Sequence, residues 1–422
     1  MTQGFSAERL ARIAPFLQRQ WIEPGWLPGV QVLLWRRGEI VLDAVLGQRD
    51  RVRATPMESD TIHRIYSMTK PMTSVLALML LEEGAIALDD PVARFIPAFA
   101  DLQVYAGGGP AAGGGQTAKV HFITRPAARP MTVLDLMRHT SGFTYGFVHR
   151  SAIDAEYRRL RIGEIDLEGG APEMMRRLAT LPLEFSPGEA FNYSVSTDVL
   201  GHVVEIASGM NLRDVLHQRL LGPLGMTDTD FFVSEDRRNR LATCYWSKED
   251  RLALWDDGVK TMRYASLPPL LSGGGGLAGT AADYLRFARM LLNKGELDGV
   301  RYLSPKTVAL MTMNHLPGNA EIADLMPASD MFNETGFRGV GFGLGVAVMQ
   351  NLAHAALPGS VGEFTWGGLA GTFFFVDPVE DMIAIAMTQV IDTQARRMRL
   401  RRDLRTLIYS AMTESLQDPQ RS

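Results

Sequence analysis

The sequence predicts an α/β (α+β) protein, an antiparallel sheet flanked by N- and C-terminal helices with a mostly helical segment inserted. Three observations predict it. An amphipathic stripe and a β-hairpin signature stand near the N-terminus, and a long middle carries helical patterns. β-rich runs and a second helical stripe then close the chain. At 422 residues the chain is long for a single core. The expected units are residues 1–82 with 271–422, which build the sheet, and residues 83–270, the mostly helical insertion. A ligand site is expected in the cleft between them.

Within residues 7–20, Leu10, Ile13 and Leu17 recur at helical spacing, with Pro15 as a kink point. "GVQVLLWRRGEIVLDAVLG" is two β-rich runs joined at Arg36-Arg37-Gly38-Glu39, a hairpin. Proline is tolerated only in a first helical turn, so Pro71 sets the start of the helix carrying Leu76, Met79 and Leu80 near residues 67–70. "AGGGPAAGGG" at 106–115 reads as a flexible surface insertion. "DVLGHVVEIASG" is a helix with a glycine stop, and "AADYLRFARMLLNKG" at 281–295 is another. "FGLGVAVM", "GTFFFVDP" and "MIAIAMTQV" read as strands, with a turn at Asp377-Pro378. Leu400, Leu404, Leu407 and Ile408 give the closing helix its apolar stripe, and no internal repeat is present.

Composition narrows the function. Hydrophobic residues at 46% and charged residues at 21% describe an ordinary soluble globular chain. A net charge of −4 points to neither nucleic acid nor an anionic membrane as partner. Cys244 is the single cysteine, which excludes a disulfide framework and a cysteine-rich metal site. "MTQGFSAERLARIAPFL" lacks the basic segment and apolar block of a secretory signal. Apolar runs such as residues 75–81 fall well short of the ~20 residues needed to span a bilayer. The expected location is cytoplasmic, with no cofactor and no metal.

One short motif carries chemistry. In "IYSMTKPMTSV", Ser67 stands three residues before Lys70, so both share one helical face. With 20 serines and six lysines, chance gives about 0.3 such pairs, and Ser-x-x-Lys occurs once. The structural alternative is a helix-capping serine beside a solvated lysine. A lysine in a first turn is disfavoured by the positive end of the helix dipole, and that same field favours a neutral amine able to act as a base. Gly-x-Ser-x-Gly is absent, so the nucleophile elbow of the α/β-hydrolases is not used. His139, in "RHTSGFTYG", is the alternative base, although packing or capping explains it more simply. "GGGLAG" at 274–279 satisfies Gly-x-Gly-x-x-Gly. "SLPPLL" is a poor preceding strand, so these glycines shape a turn before the next helix. The arginines of residues 396–405 read as a solvated helix face, with a basic docking patch as the alternative.

Several motifs follow one another in a shared order: "SMTK", "LMRHTSGFTYG", "FSPGEAFNYSVSTDVLGHVVEIASG", "LLGPLGMTDT", "GGGGLAGTAADYLRFARMLLNKGELDG" and "FTWGGLAGTFFFVDP". From about residue 25 to 410 this pattern resembles the class C β-lactamase-like serine hydrolases, most closely the family VIII carboxylesterases. The resemblance implies the β-lactamase/penicillin-binding-protein fold. It also implies Ser67 as nucleophile, Lys70 as its partner base and Tyr193, in "FNYSV", as the phenol that shuttles the proton. "WGGL" matches the strand that lines the family's pocket. Trp366, Gly367 and Gly368 would then contact substrate, with the glycines allowing close approach. The N–H groups of Ser67 and Leu369 would bind the oxyanion.

Two departures from the β-lactamase pattern bear on substrate. Ser194-Val195 follows Tyr193, so the asparagine of Tyr-x-Asn is missing, and Lys-[Ser/Thr]-Gly occurs nowhere. Without those polar groups an anionic β-lactam lacks partners, and a desolvated carboxylate without a cation is costly. The expected function is a serine carboxylesterase acting on short-to-medium acyl esters of small molecules. The alternatives are β-lactam or D-amino-acid amide hydrolysis on the same scaffold, and a catalytically silent ligand-binding protein.

Overall fold

The computed structural model describes residues 3–110, 120–248, 251–326, 338–392 and 394–417. An eight-stranded antiparallel sheet forms its centre. Across the sheet the strands run Val340–Phe342, Ala347–Met349, Phe364–Gly367, Phe373–Asp377, Met382–Met387, Gly29–Arg36, Glu39–Asp50 and Thr55–Pro56. The N-terminal hairpin therefore pairs with the last long strand, Gln31 opposite Met387 through Arg36 opposite Met382, and the two chain ends close one sheet. The hairpin turns at Arg37 and Gly38 with φ of 49° and 87°, the pair of positive values that matches strand twist.

Strand alternation feeds two cores. Val30, Val32 and Leu34, with Phe373, Phe375 and Ala384, face the terminal helices through Leu10, Ile13, Leu17, Leu400, Leu404 and Ile408. Leu33, Trp35, Phe374 and Ile385 face the larger core around the Thr69–Glu82 helix. Because both faces are covered, every residue of Gly29–Arg36 is buried. The N-terminal stripe is realised as two short helices, Ala7–Leu10 and Ile13–Leu17, broken at residues 11–12. Pro15 sits in the first turn of the second, where it costs no hydrogen bond.

Four expectations change. Residues 106–110 of the glycine-rich stretch are not a flexible insertion: they belong to the strand Gln103–Pro110, which pairs with Val120–Pro126 as a β-hairpin, and residues 111–115 lie outside the described residues. "FGLGVAVM" is not one strand: it spans the end of Val340–Phe342 and the whole of Ala347–Met349, which pair with each other across a turn. The mostly helical segment 83–270 also holds the strands Cys244–Lys248 and Arg251–Asp256, which form a three-stranded sheet with Val390–Ile391. The arginine run of the closing helix, Gln394–Ser410, is only partly solvated. Arg401 and Arg405 are buried; Arg405 pairs with Glu363, and its guanidinium lies 4.8 Å from the Phe375 ring centroid. That helix lies flat on the sheet, so residues flanking its apolar stripe are covered too, and arginine tolerates this with an apolar stem and a paired head. Among the described residues no helix is long and apolar enough to cross a membrane.

Candidate active site

The chain enters the Thr69–Glu82 helix through a 3-10 turn, Tyr66–Met68. Tyr66 holds φ at 43°, a left-handed conformation that costs a non-glycine residue about 1–3 kcal/mol. Ser67 therefore projects from a strained turn and remains half-buried. It caps nothing: the cap position is Met68, and no side chain bonds the first helical N–H groups. The capping alternative is thereby removed.

Lys70 lies in the first helical turn and is fully buried. Its Nζ contacts Ser67 Oγ at 3.3 Å, Tyr145 Oη at 2.9 Å and Gly274 O at 2.6 Å. An ammonium has three protons, and these partners use all of them. A carbonyl can only accept, so one N–H is committed to Gly274. The hydroxyls of Ser67 and Tyr145 can each accept or donate, so a neutral Lys70 could take the serine proton without moving.

The Gly274 carbonyl is itself held in place. Asp198, from the Ser196–Ser208 helix, accepts the Gly274 N–H at 3.0 Å and the Ser272 hydroxyl. A Cβ at Gly274 would approach the Asp198 carboxylate carbon to 2.9 Å, so that glycine answers to packing. Thr73 Oγ1 donates to Gly273 O at 2.8 Å, tying the nucleophile helix to the same loop. Burial raises the Asp198 carboxyl above the usual range, and Lys70 pulls it back down. Residues 257–273 ahead of this glycine loop hold no strand, which removes the dinucleotide alternative.

Tyr193 lies beside Lys70, but it presents its ring face, with Nζ 4.6 Å from the centroid. A buried ammonium over an aromatic ring is stabilised by about 2 kcal/mol. The hydroxyl that hydrogen-bonds Lys70 is that of Tyr145, whose ring centroid lies 5.3 Å from Tyr193. Burial pushes the Tyr145 phenol well above its ordinary value, so it keeps its proton at neutral pH.

His139 is fully buried and packs edge-on against Phe191, Tyr193 and Phe342. Its Nδ1 lies 3.4 Å from Ser194 Oγ, and burial with nearby Lys70 holds the imidazole well below its usual pKa. Lys70, and no histidine, hydrogen-bonds Ser67.

Trp366 is buried at the end of the Phe364–Gly367 strand, 5.3 Å from the rings of both Tyr193 and Phe342. A Cβ on Gly367 would strike the Arg401 guanidinium, and one on Gly368 would strike Ile65 O and Thr372 Oγ1. Both glycines are thus accounted for by internal packing, a different reason from close substrate approach. Their tight fit sets residues 368–369 against the turn that carries Ser67. Tyr66 and Leu369 accordingly pack on one small cluster of Cys244, Ala370 and Ile391.

The structure therefore brings Ser67, Lys70, Tyr193, Trp366 and Leu369 into one neighbourhood, and adds Tyr145 and Asp198, which the sequence reading did not single out, and Gly274, which it read only as shaping a turn. Tyr145 stood in a quoted motif, "TSGFTYG", with nothing in its spacing to mark it. Asp198 carried a signal: it is the one carboxylate in the first two turns of a helix that buries Ser196 through Gly201, and buried acids require partners.

The comparisons with known proteins agree with this fold. The beta-lactamase family profile matches residues 17–407. Protein Rv1367c of Mycobacterium tuberculosis is 37% identical over 375 residues, 88% of each chain. Esterase EstB of Burkholderia gladioli is 31% identical over 382 residues, 86% of each. Among solved structures, EstCE1, described as a hydrolase with promiscuous acyltransferase activity, superposes with a TM-score of 0.76 at 27% identity, covering 96% of this chain and 99% of its own. With the fold, a profile spanning almost the whole chain and esterase relatives at this identity, the chain belongs to the beta-lactamase family and is a serine hydrolase of ester-cleaving or acyl-transferring type.

Proposed function

We propose that this protein is a carboxylesterase that hydrolyses neutral, short-to-medium acyl esters of small molecules through an acyl-enzyme on Ser67. The observation that carries the reading is the contact of the buried Lys70 Nζ with Ser67 Oγ at 3.3 Å and Tyr145 Oη at 2.9 Å. Lys70 takes the serine proton, and Ser67 Oγ attacks the ester carbonyl. The N–H groups of Ser67 and Leu369 receive the oxyanion, each contributing ~3 kcal/mol as oxyanion donors do. The phenols of Tyr193 and Tyr145, both beside Nζ, complete the group that returns a proton to the departing alkoxide. Water then attacks the acyl-enzyme, activated by the same group.

Trp366 supports ester over β-lactam. It offers an aromatic wall with Tyr193 and Phe342 where a carboxylate would need a cation. The reading includes a cleft between the sheet unit (residues 1–82 and 271–422) and the segment 83–270, and a cytoplasmic location. A fluorophosphonate probe followed by peptide mapping tests it: the adduct is expected on Ser67 and absent from Ser67→Ala. An adduct on another serine, or none, removes the assignment.

A further inference from the structure

The acylation chemistry leaves one aromatic surface unused. Cys244 packs against Ala370 and Ile391, and Tyr66 and Leu369 rest on the same cluster. Alternation along Cys244–Lys248 puts Trp246 on the face of Cys244, and the parallel register sets it beside Ile391. The opposite face is already committed. Tyr245 Oη accepts the Arg51 N–H at 2.8 Å, and Ser247 Oγ accepts from Arg396 at 3.4 Å. Trp255 is the extra residue at a bulge opposite Cys244 and Tyr245, where a strand re-aims a side chain. Its ring centroid lies 5.0 Å from that of Trp246, and the two indoles are 40% and 42% exposed. Arg263 flanks the pair, 5.7 Å from the Trp255 ring.

Reaction geometry gives this surface a direction. The leaving alkoxide must collect its proton from the Lys70–phenol group, so the alcohol part of an ester lies on the side of Tyr145 and Tyr193. With the carbonyl oxygen at the Leu369 N–H, the acyl part is directed the other way, where Tyr66 and Leu369 rest on the buried Cys244, Ala370 and Ile391 cluster and Trp246 stands beside Ile391. The two exposed indoles are tilted by 46°, so a flat ring stacks on one and meets the edge of the other.

We propose that Trp246 and Trp255 form an acyl-recognition platform that selects esters whose acyl part is a flat, apolar ring system. Exposed indole faces stack on aryl groups and withdraw their apolar area from water. This inference rests on the esterase reading and adds a substrate class to it.

The test uses the full chain and two p-nitrophenyl esters that share one leaving group, the acetate and the 2-naphthylacetate. In Trp246→Ala and in Trp255→Ala, kcat/KM for the naphthylacetyl ester is expected to fall roughly tenfold. The acetate is expected to change less than about twofold, and Trp246→Phe to recover most of the loss. Equal losses on both esters, or an unchanged ratio between them, overturn the platform. A second arm needs no turnover: calorimetric binding of 2-naphthylacetate to Ser67→Ala is expected, and is expected to weaken by a similar factor when Trp246→Ala is added. If the wild-type protein leaves the acetate ester intact, the esterase reading falls while the binding arm still decides the platform.

Discussion

Lys70 Nζ lies 2.9 Å from Tyr145 Oη, whereas Tyr193 meets the same nitrogen through its ring face at 4.6 Å. Two phenols thus meet one amine in different ways. The resemblance assigns the shuttle to Tyr193, and the hydrogen bond falls to Tyr145. Tyr145→Phe removes the hydroxyl bonded to Lys70 and keeps the ring. Its kcat on a short-chain p-nitrophenyl ester is expected to fall at least ~10²-fold with KM little changed, as for loss of a positioned acid–base group. Tyr193→Phe measured beside it shows how the two divide the work; a Tyr145→Phe variant as active as wild type would leave Tyr193 as the sole phenol.

The nucleophile and its base form one unit. Ser67→Ala is expected to abolish ester turnover above background, and Lys70→Ala to cost ~10³-fold or more in kcat/KM. The double variant is expected to be no worse than Ser67→Ala, because groups acting on one proton are not additive. A Lys70→Ala enzyme that stays active while a histidine variant dies would move the base elsewhere.

Asp198 acts on Lys70 through the Gly274 peptide. Asp198→Asn keeps an acceptor for the Gly274 N–H and is expected to retain most of the wild-type kcat. Asp198→Ala removes the acceptor and is expected to lower kcat roughly tenfold, because the loop loses its anchor. Equal kcat for wild type and Asp198→Ala would show that the carboxylate does not anchor the loop.

Substrate charge gives a separate check. Turnover of a short-chain nitrophenyl ester is expected to exceed that of nitrocefin, whose carboxylate would meet Trp366, where the β-lactamases carry a lysine strand. Faster nitrocefin hydrolysis would reverse the substrate assignment.

Two buried histidines tie stability to pH. Burial pushes His63 down to about 3 from its ordinary 6.5, and holds His139 well below the same value. The unfolded chain binds protons that the folded chain refuses, so the stabilisation is present above about 6.5 and is lost as pH falls below it. Each histidine contributes a slope of up to ~1.4 kcal/mol per pH unit within that window. Urea denaturation at pH 7.5 and pH 5 is expected to show the loss, reduced in His63→Asn. Equal stability at the two pH values would contradict it.

The sequence by itself determined the features that depend on neighbours along the chain. Helical spacing placed the Thr69–Glu82 and Ser196–Ser208 helices, and the β-rich runs placed the hairpin of Gly29–Arg36 and Glu39–Asp50 and the strands Phe373–Asp377 and Met382–Met387. The three-residue step from Ser67 to Lys70 already put hydroxyl and amine within reach, since one helical turn fixes that distance. Only the tertiary structure decided which phenol reaches the amine, that Asp198 steadies Gly274, and that Arg401 and Arg405 are buried under the sheet. Those outcomes depend on how separately formed elements stack, and a shift of about an ångström exchanges one hydrogen-bond partner for another. No local period in the residues records that displacement.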